Sequence, residues 1–309
     1  MAKILVTGGG GFIGSHLVDK LIEIGHKVVV IDNLSTGKKE NLNPKAKFYK
    51  IDICSPKISE IFKKEKIQFV FHLASQINVK KSVENPILDA KINILGSLNI
   101  IKIGKEFKIK KIIFSSSGGA VYGEAKKIPT PENYFERPIS PYGISKLAIE
   151  NYLKFYRDFF GLNFISLRLS NVYGPRQNSK GEGGVIAIFT DKLLKENQPE
   201  IFGDGNQTRD FIYIDDAVSA FVKALQYDGK ELIFNIGTQT EISINNLYQK
   251  LLKIIGVKIK PQYNLARPGD LKRSCLDISK AKRELKWKPN YNLEEGLIKT
   301  VSWFKKRNL

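Results

Sequence analysis

A chain of 309 residues is long enough to bury a large core, in one large domain or two modest ones. No apolar run approaches the roughly 18 residues that span a bilayer. The short Ile4-Leu5-Val6 run carries no signal-peptide features, so a cytoplasmic setting with no membrane partner is expected.

The two cysteines, Cys54 and Cys275, stand far apart with no CxxC and no Cys/His cluster, which excludes a zinc or iron–sulfur centre and predicts two reduced thiols. The formal charge of +19 is spread over lysines at helix-surface spacing, in runs no longer than two. A Lys-rich surface around a site for an anionic small molecule accounts for this pattern, as does thermophily or biased composition. Nucleic-acid binding is the weaker alternative, and no specific nucleic acid is expected.

From the N-terminus, Ile4–Thr7 reads as a buried strand. It runs into Thr7-Gly8-Gly9-Gly10-Gly11-Phe12-Ile13-Gly14, in which the glycines fit Gly8-x-x-Gly11-x-x-Gly14. Gly8 permits a tight turn, Gly11 lets backbone approach a pyrophosphate, and Gly14 lets helix pack on strand. A helix follows over His16–Ile24, with Leu17, Leu21 and Ile24 on one face and Gly25 at its end. The helix start offers amide donors and a partial positive charge to phosphates.

The next strand, Val28–Asp32, ends on a carboxylate eighteen residues past Gly14. Asp32 can accept hydrogen bonds from the adenosine ribose and would repel a 2′-phosphate, so the dinucleotide is NAD rather than NADP. Further strands are expected at Phe48–Asp52, Phe69–Leu73, Ile112–Ser115 and Ile165–Leu169, with helices between. Such alternation predicts an α/β fold, a doubly wound parallel Rossmann sheet.

Two Tyr-x-x-x-Lys spacings occur, Tyr122/Lys126 and Tyr142/Lys146. Tyr122 precedes Gly123 and runs toward Pro129 and Pro131, which predicts a loop where the spacing carries no geometry. Tyr142 follows Ser140-Pro141, an N-cap and first helical residue. There the spacing puts phenol and ammonium one turn apart on one face. A phenol with a pKa of about 10 is a poor base at neutral pH. The ammonium and a nicotinamide are expected to lower it, so that Tyr142 takes a hydroxyl proton while hydride leaves the same carbon. Ser115-Ser116-Ser117 ends a strand at the carboxyl edge of the sheet, and Ser117, with Ser116 in reserve, is the expected partner for that hydroxyl.

After about Gly174 the rhythm breaks into a loop-rich segment punctuated by glycines and prolines, and Ile233–Ile236 returns to the sheet. The expected organisation is a NAD-binding Rossmann domain over 1–174 with a returning strand near 211–240. Residues 175–309 mainly form a smaller mixed α/β substrate lobe.

Ordered stretches along essentially the whole chain resemble the extended short-chain dehydrogenase/reductases, and within them the UDP-glucose 4-epimerases. They are TGGGGFIG at Thr7–Gly14, DNLSTG at Asp32–Gly37, HLASQ at His72–Gln76, NILGSLN at Asn93–Asn99, SSSGGAVYG at Ser115–Gly123 and PYGISK at Pro141–Lys146. Further on come LRLSNVYGPRQ at Leu167–Gln177, IFGDGNQTRDFIYIDD at Ile201–Asp216 and RPGD at Arg267–Asp270.

The resemblance implies NAD contacts from Phe12, Ile13, Asn33, Ser35, Thr36, Gly37, Leu73, Ala74, Gln76, Asn93 and Ser115, with Asp52 and Ile53 at the adenine. It implies substrate contacts from Ser116, Ser117, Asn171, Val185, Arg209, Arg267, Asp270 and Ser274, the arginines acting as fixed forks for the diphosphate of a UDP-sugar. Ser117 is followed by Gly118 and Gly119, whereas the family's 4,6-dehydratases carry an Asp-Glu pair there, which disfavours water elimination. Ser274 matches a gatekeeper position, where a small residue leaves room for a 2-acetamido group. The helix of Tyr142 and one near Ile87–Ile103 match those that pair subunits, which implies a homodimer. The activity implied is reversible inversion at carbon 4 of a UDP-hexose. Another epimerase, a decarboxylase or a dehydratase of the same family stays open, as does a non-catalytic NAD-sensing or RNA-binding protein.

Overall fold

In the strands through Leu5, Val29, Val70, Ile112 and Ile165 every second residue faces the opposite side, and both sides are buried, so one sheet must carry a core on each face. Ile4, Val6, Val28, Val30 and Ile113 join one cluster; Leu5, Val29, Ile31, Val70 and Ile112 join the other. The computed structural model describes residues 1–179, 184–267 and 269–308.

The strands are β1 (Lys3–Thr7), β2 (Lys27–Asp32), β3 (Lys47–Lys50), β4 (Phe69–His72), β5 (Lys111–Ser117) and β6 (Phe164–Leu169). After β7 (Asn171–Tyr173), β8 (Glu200–Phe202), β9 (Thr208–Arg209) and β10 (Phe211–Tyr213) comes β11 (Ile233–Ile236), followed by β12 (Ile242–Ser243), β13 (Gln262–Asn264) and β14 (Arg273–Ser274). Seven strands form one parallel sheet in the order β11-β6-β5-β4-β1-β2-β3, with the reversal of a doubly wound Rossmann fold between β1 and β4.

Helix α1 (Phe12–Glu23) packs on one face with α9 (Ile214–Gln226). On the other lie α2 (Ile58–Glu65), α5 (Ser97–Glu106) and α7 (Pro141–Phe160). Short helices α3 (Val79–Glu84) and α4 (Pro86–Ala90) lead through one π-helical turn, Lys91–Gly96, into α5, while α6 (Gly118–Tyr122) follows β5 directly.

The first helix begins at Phe12 rather than at His16, because Gly11 is its N-cap and the helix opens directly from the glycine turn. Tyr122 is not in a loop. It closes α6, is 2% exposed, and its hydroxyl donates to Asn235 Oδ1 at 2.9 Å, so it packs as a core residue and forms no pair with Lys126.

The segment after Gly174 is also more regular than its glycines and prolines suggest. It holds α8 (Val185–Leu194), and further on α10 (Ile244–Ile255), α11 (Ser279–Glu284) and α12 (Leu293–Asn308). Three small sheets, β10-β7, β12-β9-β14 and β13-β8, accompany them. Leu276 packs against Gly118, so this part of the chain closes over the carboxyl end of β5.

Helix α7 illustrates how local sequence sets the site. Ser140 caps it through its hydroxyl to the Gly143 amide, Pro141 supplies the first helical φ, and Gly161 ends it at φ +67°. Ile149 and Leu153 anchor its inner face. Beneath them the fully buried Arg168 of β6 binds Glu150 of α7 and Glu136.

Candidate active site

Gly8 turns at φ +72°, and a Cβ there would lie 2.8 Å from the Ala74 amide nitrogen. Gly14 is tighter still, since its Cβ would lie 2.1 Å from the Gly8 carbonyl oxygen. No side chain caps α1 at Gly11, and the first turn holds no acidic residue. The amides at Phe12 and Ile13 therefore face a backbone cradle suited to a diphosphate.

Asp32 is 8% exposed and accepts from the Gly10 amide at 2.9 Å and the Leu34 amide at 2.8 Å. It holds the glycine turn and the loop through Asn33, Ser35, Thr36 and Gly37 together, and a Cβ on Gly37 would lie 2.9 Å from the carboxylate. Asn33 donates to Asp52 at 2.6 Å, and Ile53, beside Asp52, packs against Gly96. These residues line the edge where an adenosine would rest, so the set fits a dinucleotide.

At the end of β4, Leu73 and Ala74 donate their amides to Thr7 Oγ1 at 3.1 and 3.0 Å. Thr7 is left to donate to His72 Nδ1 (2.8 Å), so Nε2 carries the proton toward Ser97 Oγ (2.7 Å). Burial, with Lys146 adding to it, pushes His72 down to about 3, so this imidazole is a neutral strut.

Asn93, expected along the cofactor, is 3% exposed with a fully used amide. Its Oδ1 accepts from the Gln76 amide and Ser75 Oγ, and its Nδ2 donates to the Gln76 carbonyl and to Asp89. It positions the Ser75–Gln76 loop.

Tyr142, Lys146 and Ser117 meet. Lys146 Nζ lies 5.6 Å from the centre of the Tyr142 ring and donates to the Ser115 carbonyl at 2.8 Å. The Ser117 side chain comes close enough to the Tyr142 phenol to act on it, favouring its ionised form. The strand alternation separates the serines: Ser116 points into the protein with an unpartnered hydroxyl, while Ser115 and Ser117 keep some exposure.

One expectation is not met by the chain without a dinucleotide. The phenol of Tyr142 is raised well above the usual tyrosine range, not lowered. Burial is the main cause and Asp89 adds to it, while Ser117 opposes it. Lys146 donates one hydrogen bond to the Ser115 carbonyl, and burial pulls Lys146 itself down to about 8, against Asp89 and Glu150. The protein alone therefore keeps a protonated tyrosine beside a lysine near its titration point.

The other residues expected to hold the substrate lie in the second half of the chain. Ser274 on β14 pairs with Arg209 on β9, and its hydroxyl lies 3.2 Å from the position of a Cβ on Gly119. Arg267 stacks on Phe202, with its guanidinium carbon 3.6 Å from the ring centre. Among the described residues neither Arg209 nor Arg267 has an ion-pair partner, although Asp270 and Glu124 bear on Arg209 electrostatically. Asn171 opens β7, exposed, and Val185 opens α8. Two residues of the site went unread in the sequence, Asp89 and His72. No local spacing marks Asp89, and His72 stood only as a letter in a motif.

Residues 4–237 match the NAD dependent epimerase/dehydratase family. The chain belongs to this family. The UDP-glucose 4-epimerase of Thermotoga maritima, solved with UDP-glucose, is 49% identical, with a TM-score of 0.98 over 99% of this chain and 100% of that one. The UDP-glucose 4-epimerase of Thermus thermophilus, solved with NAD, is 38% identical at a TM-score of 0.93 over 98% and 99% of the two chains. A UDP-glucose 4-epimerase of Mycolicibacterium smegmatis is 41% identical over 311 residues, 99% of each chain. The family is enzymatic and NAD-dependent.

Proposed function

We propose that this chain is a UDP-hexose 4-epimerase interconverting UDP-glucose and UDP-galactose, with room for their N-acetyl forms, and so serves galactose metabolism. The observation that carries the reading is the meeting of Tyr142, Lys146 and Ser117 two strands away from the glycine turn. Neighbour order β5-β4-β1 sets that separation at two strand spacings, about 10 Å, which a bound dinucleotide bridges. NAD, when bound, accepts the hydride from carbon 4 and returns it to the other face.

Tyr142 Oη takes the 4-hydroxyl proton and later returns it. Lys146, at the Ser115 carbonyl, presents its charge to the ring, and Ser117 steers the hydroxyl toward Tyr142. Arg209 and Arg267, with Asn171 and Asp270, hold the diphosphate and uridine while the 4-keto sugar turns about its diphosphate link. Ser274 beside Gly119 leaves the sugar pocket wide. Residues 1–174 with the returning strand hold NAD, and 175–309 mainly hold the UDP-sugar.

Incubation with UDP-galactose alone, read by NMR and mass, should yield UDP-glucose with unchanged mass. No conversion of UDP-galactose, nor of the N-acetyl and uronic analogues, rejects the reading. Loss of carbon dioxide or of water would identify a decarboxylase or a dehydratase instead. The same assay tests the serine assignment. Ser117→Ala should lower kcat by about tenfold to a hundredfold, the size of a lost hydrogen bond to a developing charge. Ser116→Ala should retain activity, and the reverse order would transfer the role to Ser116.

The same reading makes the protein a cytoplasmic homodimer. Its two free cysteines suit a reducing compartment. Along α4 to α5 and α7, Ile87 (82% exposed), Leu95, Phe155 and Phe159 (74% exposed) form an apolar face that a second copy would cover. Phe159→Glu should turn a dimer into a monomer by light scattering, and a wild-type monomer would reject the pairing.

A further inference from the structure

Asp89 is 1% exposed and lies on the short helix α4, outside the catalytic trio. Its Oδ2 accepts from Ser145 Oγ at 2.7 Å, and Ser145 is the residue before Lys146. Its Oδ1 accepts from Gln76 Nε2 and from Asn93 Nδ2, both at 2.9 Å. All three donors are neutral, and no ion pair among the described residues includes Asp89. Burying a carboxylate on neutral donors alone is costly, so a nearby buried cation is expected.

We propose that Asp89 is a positioning residue for the Tyr142–Lys146 pair. Its carboxylate ties the catalytic helix to the Ser75–Gln76 loop and serves as the counter-charge of Lys146. The assignment rests on the epimerase reading of the site.

Asp89 and Glu150 both bear on Lys146, and of the two only Asp89 has no ion-pair partner among the described residues. Glu150, one turn further along α7, is committed to Arg168 on β6, whose guanidinium also stacks on Tyr122 of α6. His72 of β4 is neutral. The charged side chains of α3, of the π-helical turn and of α5, from Lys80 to Glu106, are exposed at the surface. Asp89 acts on both members of the pair, raising Lys146 and Tyr142 alike. Removing its charge must therefore lower both, whichever limb of the pH profile each governs.

The test compares Asp89→Asn and Ser145→Ala with wild type in the full-length protein loaded with NAD. Asp89→Asn should lower kcat about tenfold with the KM for UDP-galactose within about twofold, since the UDP is held elsewhere. Both limbs of its kcat–pH profile should move about one unit toward lower pH. Ser145→Ala removes the tie but keeps the charge, so kcat should fall while the profile stays in place.

A 13Cε-lysine NMR titration, with Lys146 assigned through Lys146→Arg, should show Lys146 losing its proton at lower pH in Asp89→Asn. An unmoved Lys146 titration overturns the proposal, as does Asp89→Asn with wild-type kcat, or a lowered kcat on an unmoved profile. If Asp89→Asn fails to fold, Ser145→Ala with unchanged kcat overturns it. A wild type inactive on every UDP-sugar rejects the epimerase reading instead, and the NMR titration then decides the role of Asp89 without any turnover.

Discussion

Tyr142→Phe should reduce sugar interconversion by a factor of about 10²–10⁴, the contribution typical of a positioned acid–base group. The substitution deletes one oxygen from a ring that is otherwise packed in place, so the fold should be untouched. KM should change little, because the diphosphate and uridine are assigned to Arg209, Arg267, Asn171 and Asp270, in the second half of the chain.

The effect should be large because no other group can substitute. Ser117 is a hydroxyl with no base of its own, His72 is sealed under the sheet edge, and Lys146 points at the Ser115 carbonyl. The raised phenol sharpens the expectation. In the protein alone Tyr142 holds its proton at neutral pH, so the free enzyme offers an acid and not a base. A positive charge placed beside the phenol would favour its ionised form. Steady-state kinetics on UDP-galactose provide the check, and a Tyr142→Phe variant within tenfold of wild type would move the acid–base role elsewhere.

What the sequence made legible was whatever depends on neighbours along the chain. Short apolar runs, Gly8-x-x-Gly11-x-x-Gly14 and the Ser140-Pro141 cap each act within one or two elements, and the six early strands and α7 stand close to where those patterns put them. The illegible parts depend on contacts between distant segments. Helix α8 sits among glycines and prolines that read as loop, because its apolar face is anchored by Tyr248 and Leu247 some sixty residues on. Tyr122 is buried by Asn235 and Arg168, which no local pattern announces. The raised Tyr142 phenol of the ligand-free chain was illegible for the same reason: four-residue spacing shows that an ammonium is near, but not how much water the fold removes or which carbonyl the ammonium prefers. Asp89 was missed because its three donors come from three separate stretches, at Gln76, Asn93 and Ser145.

Gly14→Ala should be among the most damaging single-methyl changes in the nucleotide-binding half. The new Cβ would lie 2.1 Å from the Gly8 carbonyl oxygen and 2.9 Å from the Gly8 carbonyl carbon. Both are backbone atoms of the turn itself, so no rotamer change relieves the overlap. Helix α1 must then move off β1, or the turn must open. Overpacking of this kind costs about 1–3 kcal/mol and occasionally more, which for a protein of this size lowers Tm by about 5 °C. The same displacement draws the helix start away from the position of the pyrophosphate. A loss of about 3 kcal/mol there corresponds to roughly a hundredfold weaker NAD binding.

Gly11 provides the internal contrast. A Cβ on it meets only the Gly8 carbonyl oxygen, at 3.2 Å, and otherwise points into the space beside the helix start. Gly11→Ala should therefore keep Tm within about 2 °C of wild type while still weakening NAD, because the methyl occupies room that the pyrophosphate needs. Thermal unfolding and NAD titration of the two variants separate a glycine that the fold requires from one that the ligand requires. A Gly14→Ala protein with wild-type Tm and NAD affinity would mean that α1 can slide on β1 at no cost, and the close helix–strand contact would lose its place in cofactor binding.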